Sequence, residues 1–314
     1  MDSIHLPDTI GRVNLAGLDM NLVVALRALL TERNVTRAGE QIGLSQPAMS
    51  AALARLRRHF GDELLSRKGA GYELTALGSV LLDRTEVACE MLERVFGSQP
   101  RFDPSREERE FVLFASDYAV AVFGARLARE VSAQAPGVAI TFRQVPATIT
   151  DDTAGQLAAV DGLLMPYGII AGLPAVELFR DRWLCLVADD NPEVGESITL
   201  EQLGVLPWAA YQRAYDSSVT RQLSMLGLEP RVQVSVDSFQ LLPAMVAGTR
   251  RVAMIHGLLA ARLGLGPGSG IRLLDCPFDA VPVREALWWH PVHTHDAGHL
   301  WLRETAAAAA AAGA

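Results

Sequence analysis

The sequence predicts an α/β protein, in which a small N-terminal winged helix-turn-helix unit and a long helix precede a larger region of strands and helices. A short helix, a glycine-containing turn and a longer helix follow one another over residues 34–60. Two short apolar segments then flank a glycine turn over residues 63–75. From residue 111 onward, short apolar runs alternate with helical stretches, which is typical of an α/β layer.

The boundaries of the N-terminal helices follow from capping signals. Leucines recur at helical spacing over residues 19–32, which predicts a first helix. Asn34 can cap a second helix that runs to about Ile42, and Ser45 can cap a third. Pro47 falls in the first turn of the third helix, where its missing N–H costs the helix no hydrogen bond. The second and third helices are therefore predicted to form a helix-turn-helix.

A long helix is predicted after the wing, over residues 76–97. Its apolar residues follow a 4-3 spacing, which indicates pairing with another helix, here from a second subunit. Packing of the same face on its own domain is the alternative. Residues 98–110 carry two prolines and many charges, so we expect a hinge there. The apolar positions of the long helix are Leu77, Leu81, Ala88, Met91 and Val95.

The remaining residues, 111–314, are predicted to form an α/β region with a mostly parallel sheet. The glycine-rich segment 264–270 is not a phosphate-binding loop, because a strand rather than a helix follows it. The alanines of 306–312 are expected to extend the last helix and to fray. The predicted strands are 111–116, 138–145, 160–165, 183–188, 232–236, 252–256, 271–275 and 286–290.

The charge distribution separates the two regions. The chain has a formal net charge of −8, yet residues 33–68 contain seven Lys or Arg residues and only three Asp or Glu residues. An acidic protein is not expected to bind nucleic acid non-specifically over its whole surface. A positive segment in such a chain is typical of a dedicated DNA-binding module.

The composition also bears on location. Half of the chain is hydrophobic, so we expect a globular protein. No apolar run approaches the ~20 residues of a membrane helix, and the N-terminus lacks the apolar segment of a signal peptide. The three cysteines are far apart in the sequence and odd in number, which favours reduced thiols over disulfides. We therefore expect a cytoplasmic protein that does not contact a membrane.

The chain resembles the LysR-type transcriptional regulators over nearly its whole length. The segment NVTRAGEQIGLSQPAMSAALARLRRHFGDELLSR, followed by LTALG, is similar to the family's winged helix-turn-helix and the start of its linker helix. LFASDY, DGLLMP, LVADDNP, VDSFQLLPAMVAGTRRVAMI and WWHP resemble the branch that includes the nodulation regulators and several aromatic-compound regulators.

The resemblance implies properties that composition and spacing do not show. The partners it implies are a promoter site in double-stranded DNA with an inverted repeat, a small-molecule effector, and further copies of the chain in a homodimer or homotetramer. The effector-binding domain would have two lobes and resemble the periplasmic binding proteins. The implied domains are a DNA-binding domain at 1–75, a linker and dimerisation helix at 76–97, a hinge at 98–110 and an effector-binding domain at 111–314, with one lobe at about 111–164 and 272–314 and the other at about 165–271.

In helix-turn-helix proteins, the first residues of the second helix of the motif face base edges in the major groove. Gln46 is the best predicted base reader, because its amide can form two hydrogen bonds with adenine. Nearby arginines are predicted to hold phosphates, and the basic wing to enter the adjacent minor groove. The predicted DNA-contacting residues are Thr36, Arg37, Ser45, Gln46, Pro47, Ala48, Ser50, Arg55, Arg57, Arg67 and Lys68.

Ligands of open α/β sheets lie beyond the carboxyl ends of the strands, where helices begin. Free amides and a serine hydroxyl there suit an anionic or strongly polar group, so a carboxylated aromatic compound is the first hypothesis for the effector. Each serine could instead only cap its helix. Asp117 would repel an anion, and could pair with an amine, a phenol or Arg143. The predicted effector-binding residues are Ser116, Asp117, Pro146, Thr148, Tyr211, Tyr215, Ser217, Ser238 and Phe239.

Three alternatives stay open at this point. A metal-responsive regulator could use the histidines between His290 and His299, although no fixed ligand spacing is met, and we expect neither a metal nor a cofactor. An α/β enzyme with a DNA-binding appendage is a second alternative. The sequence contains no nucleophile elbow, P-loop or zinc-protease motif, so we do not expect the protein to be an enzyme. A transport-type solute-binding protein is the third, and the DNA-binding half opposes it.

Overall fold

The computed structural model describes residues 19–68, 71–97, 102–213, 215 and 217–312. The chain divides into two compact units, with the boundary after Gly97. The first unit consists of α1 (Asn21–Glu32), α2 (Val35–Ile42), α3 (Gln46–Phe60), β1 (Leu65–Lys68), β2 (Gly71–Leu74) and α4 (Ala76–Gly97).

The turn between α2 and α3 has the caps that the sequence predicts. The Asn34 side chain accepts hydrogen bonds from the Thr36 and Arg37 amides, and the Ser45 hydroxyl accepts one from the Ala48 amide. Within the turn, a Cβ atom at Gly39 would lie 2.7 Å from the Leu44 carbonyl oxygen. Local hydrogen bonding and one close backbone approach therefore fix the angle between the two helices.

The core of the first unit is made by α1, α3 and the start of the wing. Leu29 and Leu30 of α1, Met49 of α3 and Leu65 of β1 are buried together there. Leu77, Leu81 and Leu82 of α4 pack against this core, so the first part of α4 packs on its own domain, which is the alternative interpretation of its apolar stripe. Ala88 and Met91 are half-buried, and the side chain of Val95 lies outside the described residues.

A tight corner joins the wing to α4. Leu64 has a left-handed backbone, with φ of 60°, and is fully buried. The Asp62 carboxylate holds the corner by accepting hydrogen bonds from the Leu64 amide and the Thr75 hydroxyl, at 2.6 and 2.7 Å. The α4 backbone approaches closely at Gly78, where a Cβ atom would lie 2.4 Å from the Leu64 carbonyl oxygen. Glycine at 78 is therefore required for the long helix to start against the wing.

In its described residues, the second unit contains two five-stranded sheets. Residues 117–134 form a nearly continuous helix that is interrupted by a π-helical turn, Val120–Gly124. The elements in chain order are β3 (Arg109–Ala115), α5 (Asp117–Ala119), α6 (Ala125–Gln134), β4 (Val138–Gln144), α7 (Thr153–Ala158), β5 (Gly162–Pro166), β6 (Ala175–Asp181), β7 (Trp183–Ala188), α8 (Leu200–Val205), β8 (Pro207–Tyr211), α9 (Ser218–Met225), β9 (Arg231–Val236), α10 (Leu242–Val246), β10 (Val252–His256), α11 (Gly257–Arg262), β11 (Ile271–Asp275), β12 (Val283–Trp288) and α12 (Ala297–Ala311).

The two sheets define two lobes, and each sheet contains one reversed strand. The first sheet has the order β4-β3-β5-β12-β6, and β12 is antiparallel to both of its neighbours. The second has the order β11-β7-β10-β8-β9, and β7 is antiparallel to both of its neighbours. The prediction of one mostly parallel sheet is thus only partly confirmed, because there are two sheets and each contains one antiparallel strand. Strands β7 and β12 differ because each enters its sheet directly from the other lobe, without a returning helix.

The predicted lobe boundaries are wrong at two strands. Strand β6 lies in the range assigned to the second lobe, 165–271, but pairs with β12 in the first sheet. Strand β11 falls almost entirely in the range 272–314 of the first lobe, but pairs with β7 in the second sheet. Strands β6 and β8 are not among the predicted strands. The segment of β6, AVELFRD, carries three charges, and that of β8, PWAAY, begins with proline, so neither gives a clear apolar run.

Over the residues that the structure describes, the chain crosses between the lobes twice. The first crossing is Arg182, which joins β6 to β7, and the second is the segment 276–282, which joins β11 to β12. The final helix, α12, returns to the first lobe, where Ala306, Ala309 and Ala310 are buried against α6 and the sheet. The prediction that the alanine run frays is therefore wrong, since the helix continues to Ala311. Its small side chains let it pack closely against the first lobe. Among the described residues, no helix has the length and apolar character needed to cross a membrane.

Candidate functional site

The first candidate site is the start of α3. Gln46, Pro47, Ala48 and Ser50 are exposed, while Met49 between them is fully buried. Met49 fixes the helix in the core, so the exposed residues form a rigid polar turn on the surface. The Ser45 hydroxyl caps the helix by accepting a hydrogen bond from the Ala48 amide at 3.4 Å. The N-terminal turn of α3 therefore presents a short amide side chain, two small apolar groups and a hydroxyl to an external partner.

Two predicted phosphate-binding arginines surround this turn with exposed guanidinium groups. Arg37 pairs with Glu32 at 3.3 Å and Arg55 pairs with Asp19 at 3.0 Å. Exposed ion pairs of this kind contribute little to stability. A phosphate can therefore replace the carboxylate at little cost. Thr36 is exposed at the first turn of α2, beside Arg37.

Arg57 differs from the other predicted phosphate contacts. Its guanidinium donates to the carbonyl oxygens of Glu63 and Leu65, at 2.9 and 3.2 Å, and pairs with the Glu63 carboxylate. These contacts join the C-terminal part of α3 to the first strand of the wing. Arg57 is therefore placed as a residue that positions the wing rather than as a free cation.

The wing carries Arg67 and Lys68 near its tip. Lys68 pairs with Glu73 across the hairpin at 2.8 Å, and Arg67 lies opposite Tyr72 in the strand register. Arg67 forms no ion pair within the residues that the structure describes. The turn residues Gly69 and Ala70, on which the prediction of a glycine turn rests, lie outside the described residues.

The second candidate site is a cavity of about 460 Å³ in the second lobe, at the carboxyl end of β8. Its wall is largely aromatic, and the Tyr211 and Phe239 rings stack at 3.7 Å. A volume in this range is typical of a small-molecule pocket. Residues that line it include Trp183, Trp208, Tyr211, Arg213, Tyr215, Ser217, Thr220 and Phe239.

A smaller cavity, of about 40 Å³, adjoins the first between the two lobes. Ser116 and Tyr118 of the first lobe line it, together with Tyr215, Ser217 and Phe239 of the second. Of the nine predicted effector-binding residues, the structure thus brings Ser116, Tyr211, Tyr215, Ser217 and Phe239 together around the two cavities. Burial raises the pKa of both Tyr211 and Tyr215, so their hydroxyls are neutral hydrogen-bonding groups.

Asp117 and Ser238 lie across the interlobe contact from each other. The Asp117 carboxylate accepts hydrogen bonds from the Ser238 hydroxyl at 2.7 Å and from the Gln240 amide at 3.0 Å. The pairing of Asp117 with Arg143 is not seen, because Arg143 is exposed on β4, and pairing with an amine or a phenol stays a prediction. These two residues connect the lobes rather than line either cavity.

Pro146 and Thr148 are not brought to the cavities. They follow β4 in the first lobe, and the Thr148 hydroxyl and carbonyl oxygens accept hydrogen bonds from the Gln156 side chain. Neither residue lines the two cavities described above. The short helical turn after β4 therefore closes on itself instead of forming a wall of the cleft.

Sequence reasoning missed Arg213, which is the cation at the larger cavity. Its guanidinium donates to the Tyr211 hydroxyl at 2.9 Å and to the Gln144 side chain of the first lobe at 2.7 Å. It also donates to the Asp237 carbonyl oxygen at 3.0 Å. The available signal was its position two residues after the end of β8, at the edge of the sheet where ligands bind.

The histidines between His290 and His299 have structural contacts instead of a common ligand geometry. His290 accepts a hydrogen bond from the Val292 amide, and His293 stacks on His299 at 5.0 Å. His299 is buried and bonded to the Asp161 carbonyl oxygen, and burial lowers its pKa to about 4. Within the described residues, no three His, Cys, Asp or Glu side chains have an arrangement that could hold a metal ion.

Comparisons with known proteins agree in both units. Residues 20–79 match the family described as bacterial regulatory helix-turn-helix protein, lysR family, and residues 104–311 match the LysR substrate binding domain. Nodulation protein D 2 of Rhizobium tropici is 32% identical over 291 residues, which cover 92% of this chain and 91% of that protein.

Solved structures give the same result. The transcriptional regulator PA0477 of Pseudomonas aeruginosa superposes with a TM-score of 0.65 at 25% identity, covering 93% of this chain and 97% of that one. Full-length CbnR, solved with its target DNA, superposes with a TM-score of 0.61 at 16% identity, covering 92% of this chain and 100% of that one. The likeness to CbnR concerns the fold alone.

Proposed function

The chain belongs to the LysR family of bacterial transcriptional regulators, and from this premise we propose which of its residues read DNA and which bind its effector. It is a DNA-binding regulator with a separate effector-binding domain, and its family is not one of enzymes. CbnR, which shares the fold, is described in complex with its target DNA.

The proposed base-reading element is the first turn of α3, with Gln46 as the main reader. The observation that supports it is the exposure of Gln46, Pro47, Ala48 and Ser50 around the fully buried Met49. A rigid helix tip of this kind fits the major groove, where a glutamine amide binds adenine and small apolar groups contact the thymine methyl. Exposed Arg37 and Arg55 supply the phosphate contacts.

The wing and Arg57 of α3 are proposed to have different roles in DNA binding. Arg67 and Lys68, exposed on the wing, are proposed to contact the adjacent minor groove or its phosphates. Arg57 is proposed to hold the wing against α3, through the Glu63 and Leu65 carbonyl oxygens. Ser45 contributes to the cap of α3, so a base contact from it is secondary.

Capture of bound genomic fragments by the full-length protein tests this assignment. We expect a common site with an inverted repeat that is enriched above input DNA, and we expect this enrichment to be reduced when Gln46 is replaced by alanine. Fragments that share no sequence, with equal recovery by the Gln46→Ala variant, would show that α3 does not read bases.

The effector is proposed to occupy the aromatic cavity of the second lobe and to reach the smaller interlobe cavity. The stacked Tyr211 and Phe239 rings suit an aromatic ligand, and Arg213 lies at the wall to bind a carboxylate. Ser217 caps α9 beside the same space and can add a hydroxyl contact. A carboxylated aromatic compound therefore remains the preferred class, now with Arg213 instead of the serine caps as its main polar partner.

Intrinsic fluorescence provides the test, because Trp183 and Trp208 both line the larger cavity. Titration with substituted benzoates is expected to change the tryptophan emission of the wild type with a saturable dependence. Arg213→Gln is expected to weaken binding of benzoates at least 10-fold, and binding of the matching benzamides much less. An equal fold loss for both series, or no loss for the benzoates, would exclude Arg213 as the carboxylate partner.

Effector control is proposed to act through the arrangement of the lobes in a homodimer or homotetramer. Asp117 and Ser238 bond across the lobes beside the cavities, so a ligand there can favour one lobe arrangement over another. The part of α4 beyond its contact with the first core is proposed as the dimerisation segment. A regulator of this kind is proposed to act in the cytoplasm. A footprint on DNA that no bound ligand alters would count against this mechanism.

A further inference from the structure

Glu285 is a buried acid that the proposed function does not use. It lies in β12, is 0% exposed, and neither of its carboxyl oxygens has a hydrogen-bond partner among the described residues. Its neighbour Arg284 faces the other side of the strand, where it pairs with Glu177. A charged carboxylate without a partner is costly in such a site, so the neutral acid is favoured. Burial, with a contribution from the charge of Asp181, raises the pKa of Glu285 to about 8.

The position of this acid connects it to the movement of the lobes. Glu285 lies two residues after β12 begins, directly beyond the second crossing. Asp181 is the last residue of β6, directly before the first crossing, and it is the register partner of Val283. The two acids therefore lie in β6 and β12, the two strands of the first sheet that are directly connected to the crossings. Val283, on the same side of β12 as Glu285, lines the interlobe cavity.

The two acids differ in their hydrogen bonds, and this decides which one holds a proton. Asp181 accepts from the Tyr118 hydroxyl at 3.0 Å and from the amides of Arg182 and Leu258 at 2.7 and 3.1 Å. Such donors favour a carboxylate. Burial still raises the pKa of Asp181, but these donors oppose the rise. Glu285 has no such donors within the described residues, so the proton belongs to Glu285.

No positive charge compensates Glu285 from the surrounding elements that the structure describes. The titratable groups near it are Tyr118 from α5, Asp181 from β6 and Tyr215 before α9. The His256 ring stacks on Tyr118 at 3.7 Å, and burial lowers its pKa to about 3, so it is neutral. Arg182, at the first crossing, directs its guanidinium to Asp275. An ionised Glu285 would thus face a carboxylate and two phenols.

We propose that Glu285 makes the arrangement of the two lobes sensitive to protons: the packed crossings of this structure contain Glu285 as the neutral acid, and its ionisation favours an arrangement in which its carboxylate reaches water. One proton leaves Glu285 for the solvent in this step, and no bond other than the O–H bond is broken. Asp181 keeps its three donors and stays ionised. The pH window of control is therefore set by one buried side chain at the crossings.

The direction of the pH dependence follows from linkage. Below the ordinary glutamic acid pKa of 4.5, Glu285 is protonated in both the folded and the unfolded chain. Between 4.5 and about 8, the folded protein keeps a proton that the unfolded chain releases. The contribution of Glu285 to the free energy of unfolding therefore falls as pH rises through this window and becomes constant above it.

The test compares the full-length wild type with Glu285→Gln, which keeps the shape and is neutral at every pH. The melting temperature of the effector-binding unit in the wild type, taken as a difference from that of the variant at each pH, is expected to fall with rising pH between about 5 and 8. This difference cancels the opposite contributions of the buried His256 and His299, which both proteins share. Amide hydrogen exchange at the two crossings, corrected for the intrinsic pH dependence, is expected to accelerate at least 10-fold above about pH 8 in the wild type only. Glu196→Gln, which neutralises an exposed acid of the second unit, is the matched control and should behave as the wild type in both assays.

The proposal is overturned if wild type and Glu285→Gln share one pH profile, or if the stability profile differs while exchange at the crossings does not. Should the variant fail to fold, infrared spectra of the wild type decide the matter. A carbonyl band of a protonated carboxyl group must be present at about pH 7 and lost at about pH 10, and its absence at neutral pH excludes a neutral Glu285. Neither assay uses DNA or an effector, so this inference and the proposed function can fail separately.

Discussion

Replacement of Arg57 by alanine separates two roles for the arginines of α3. The sequence predicts phosphate contacts for Arg57 and Arg55 alike. In the structure, Arg57 donates to the Glu63 and Leu65 carbonyl oxygens at 2.9 and 3.2 Å. The guanidinium of Arg55 is exposed and donates to the half-buried Asp19 carboxylate at 3.0 Å. We therefore expect Arg57→Ala to weaken the attachment of the wing, and Arg55→Ala to weaken the contact with DNA.

The magnitude follows from the hydrogen bonds that the substitution removes. Two hydrogen bonds from a half-buried guanidinium to backbone carbonyl oxygens contribute about 1 kcal/mol each, or about 2 kcal/mol together. The ion pair with Glu63 adds little, because that carboxylate is largely exposed. A destabilisation of about 2 kcal/mol corresponds to roughly 30-fold faster amide exchange in β1 and the last turns of α3, if these open together.

Hydrogen exchange of the full-length protein measures this destabilisation, and the salt dependence of DNA binding measures the other role. Arg57→Ala is expected to accelerate exchange in β1 and to leave the slope of log K against log salt unchanged. Arg55→Ala is the matched control, and is expected to leave exchange unchanged and to reduce that slope by about 0.9, the value for one phosphate contact. A reduced salt slope for Arg57→Ala, with unchanged exchange in β1, would refute the assignment of Arg57 to the wing.

Two further substitutions test other contacts. Gly78→Ala places a Cβ atom 2.4 Å from the Leu64 carbonyl oxygen, so the first unit should lose about 2 kcal/mol of stability in thermal unfolding, whereas Gly71→Ala, which meets no atom within 4 Å, should change it little. An unchanged melting temperature for Gly78→Ala would contradict the close approach of α4. Ser238→Ala removes the 2.7 Å hydrogen bond to Asp117, so amide hydrogen exchange in α5 should become about 10-fold faster. Ser224→Ala, at an exposed site, is the control and should leave this exchange unchanged. Equal exchange in both variants would show that this bond does not hold the lobes.

The N-terminal unit was largely predictable because its signals are local. Asn34 and Ser45 cap helices that begin one residue later, and Pro47 falls in the first turn of α3. Each of these features depends on residues fewer than five positions away, so the sequence pattern carries the information directly. The attachment of Arg57 to the wing was not predictable, because an arginine on a helix gives the same pattern whether it faces solvent or a neighbouring carbonyl group.

The effector-binding unit was less predictable because its defining contacts are distant in sequence. The Asp117–Ser238 hydrogen bond joins residues separated by 121 positions, and the two reversed strands, β7 and β12, pair with strands from other parts of the chain. Among the residues predicted from helix starts after strands, Tyr211, Ser217 and Phe239 line the cavities, and their role in effector binding stays a prediction. The same rule could not show that Ser238 bonds to Asp117 instead of to a ligand. It also could not find Glu285, which lies inside a strand.

The most direct test of the central claim, that the first turn of α3 reads bases in the major groove, is the affinity of Gln46→Ala for the captured site and for a scrambled duplex of the same length. We predict a loss of about 1–3 kcal/mol on the captured site and almost none on the scrambled duplex. Gln41→Ala, an exposed glutamine on α2, should bind both duplexes as the wild type does. An equal loss on both duplexes, or no loss on either, would contradict the claim.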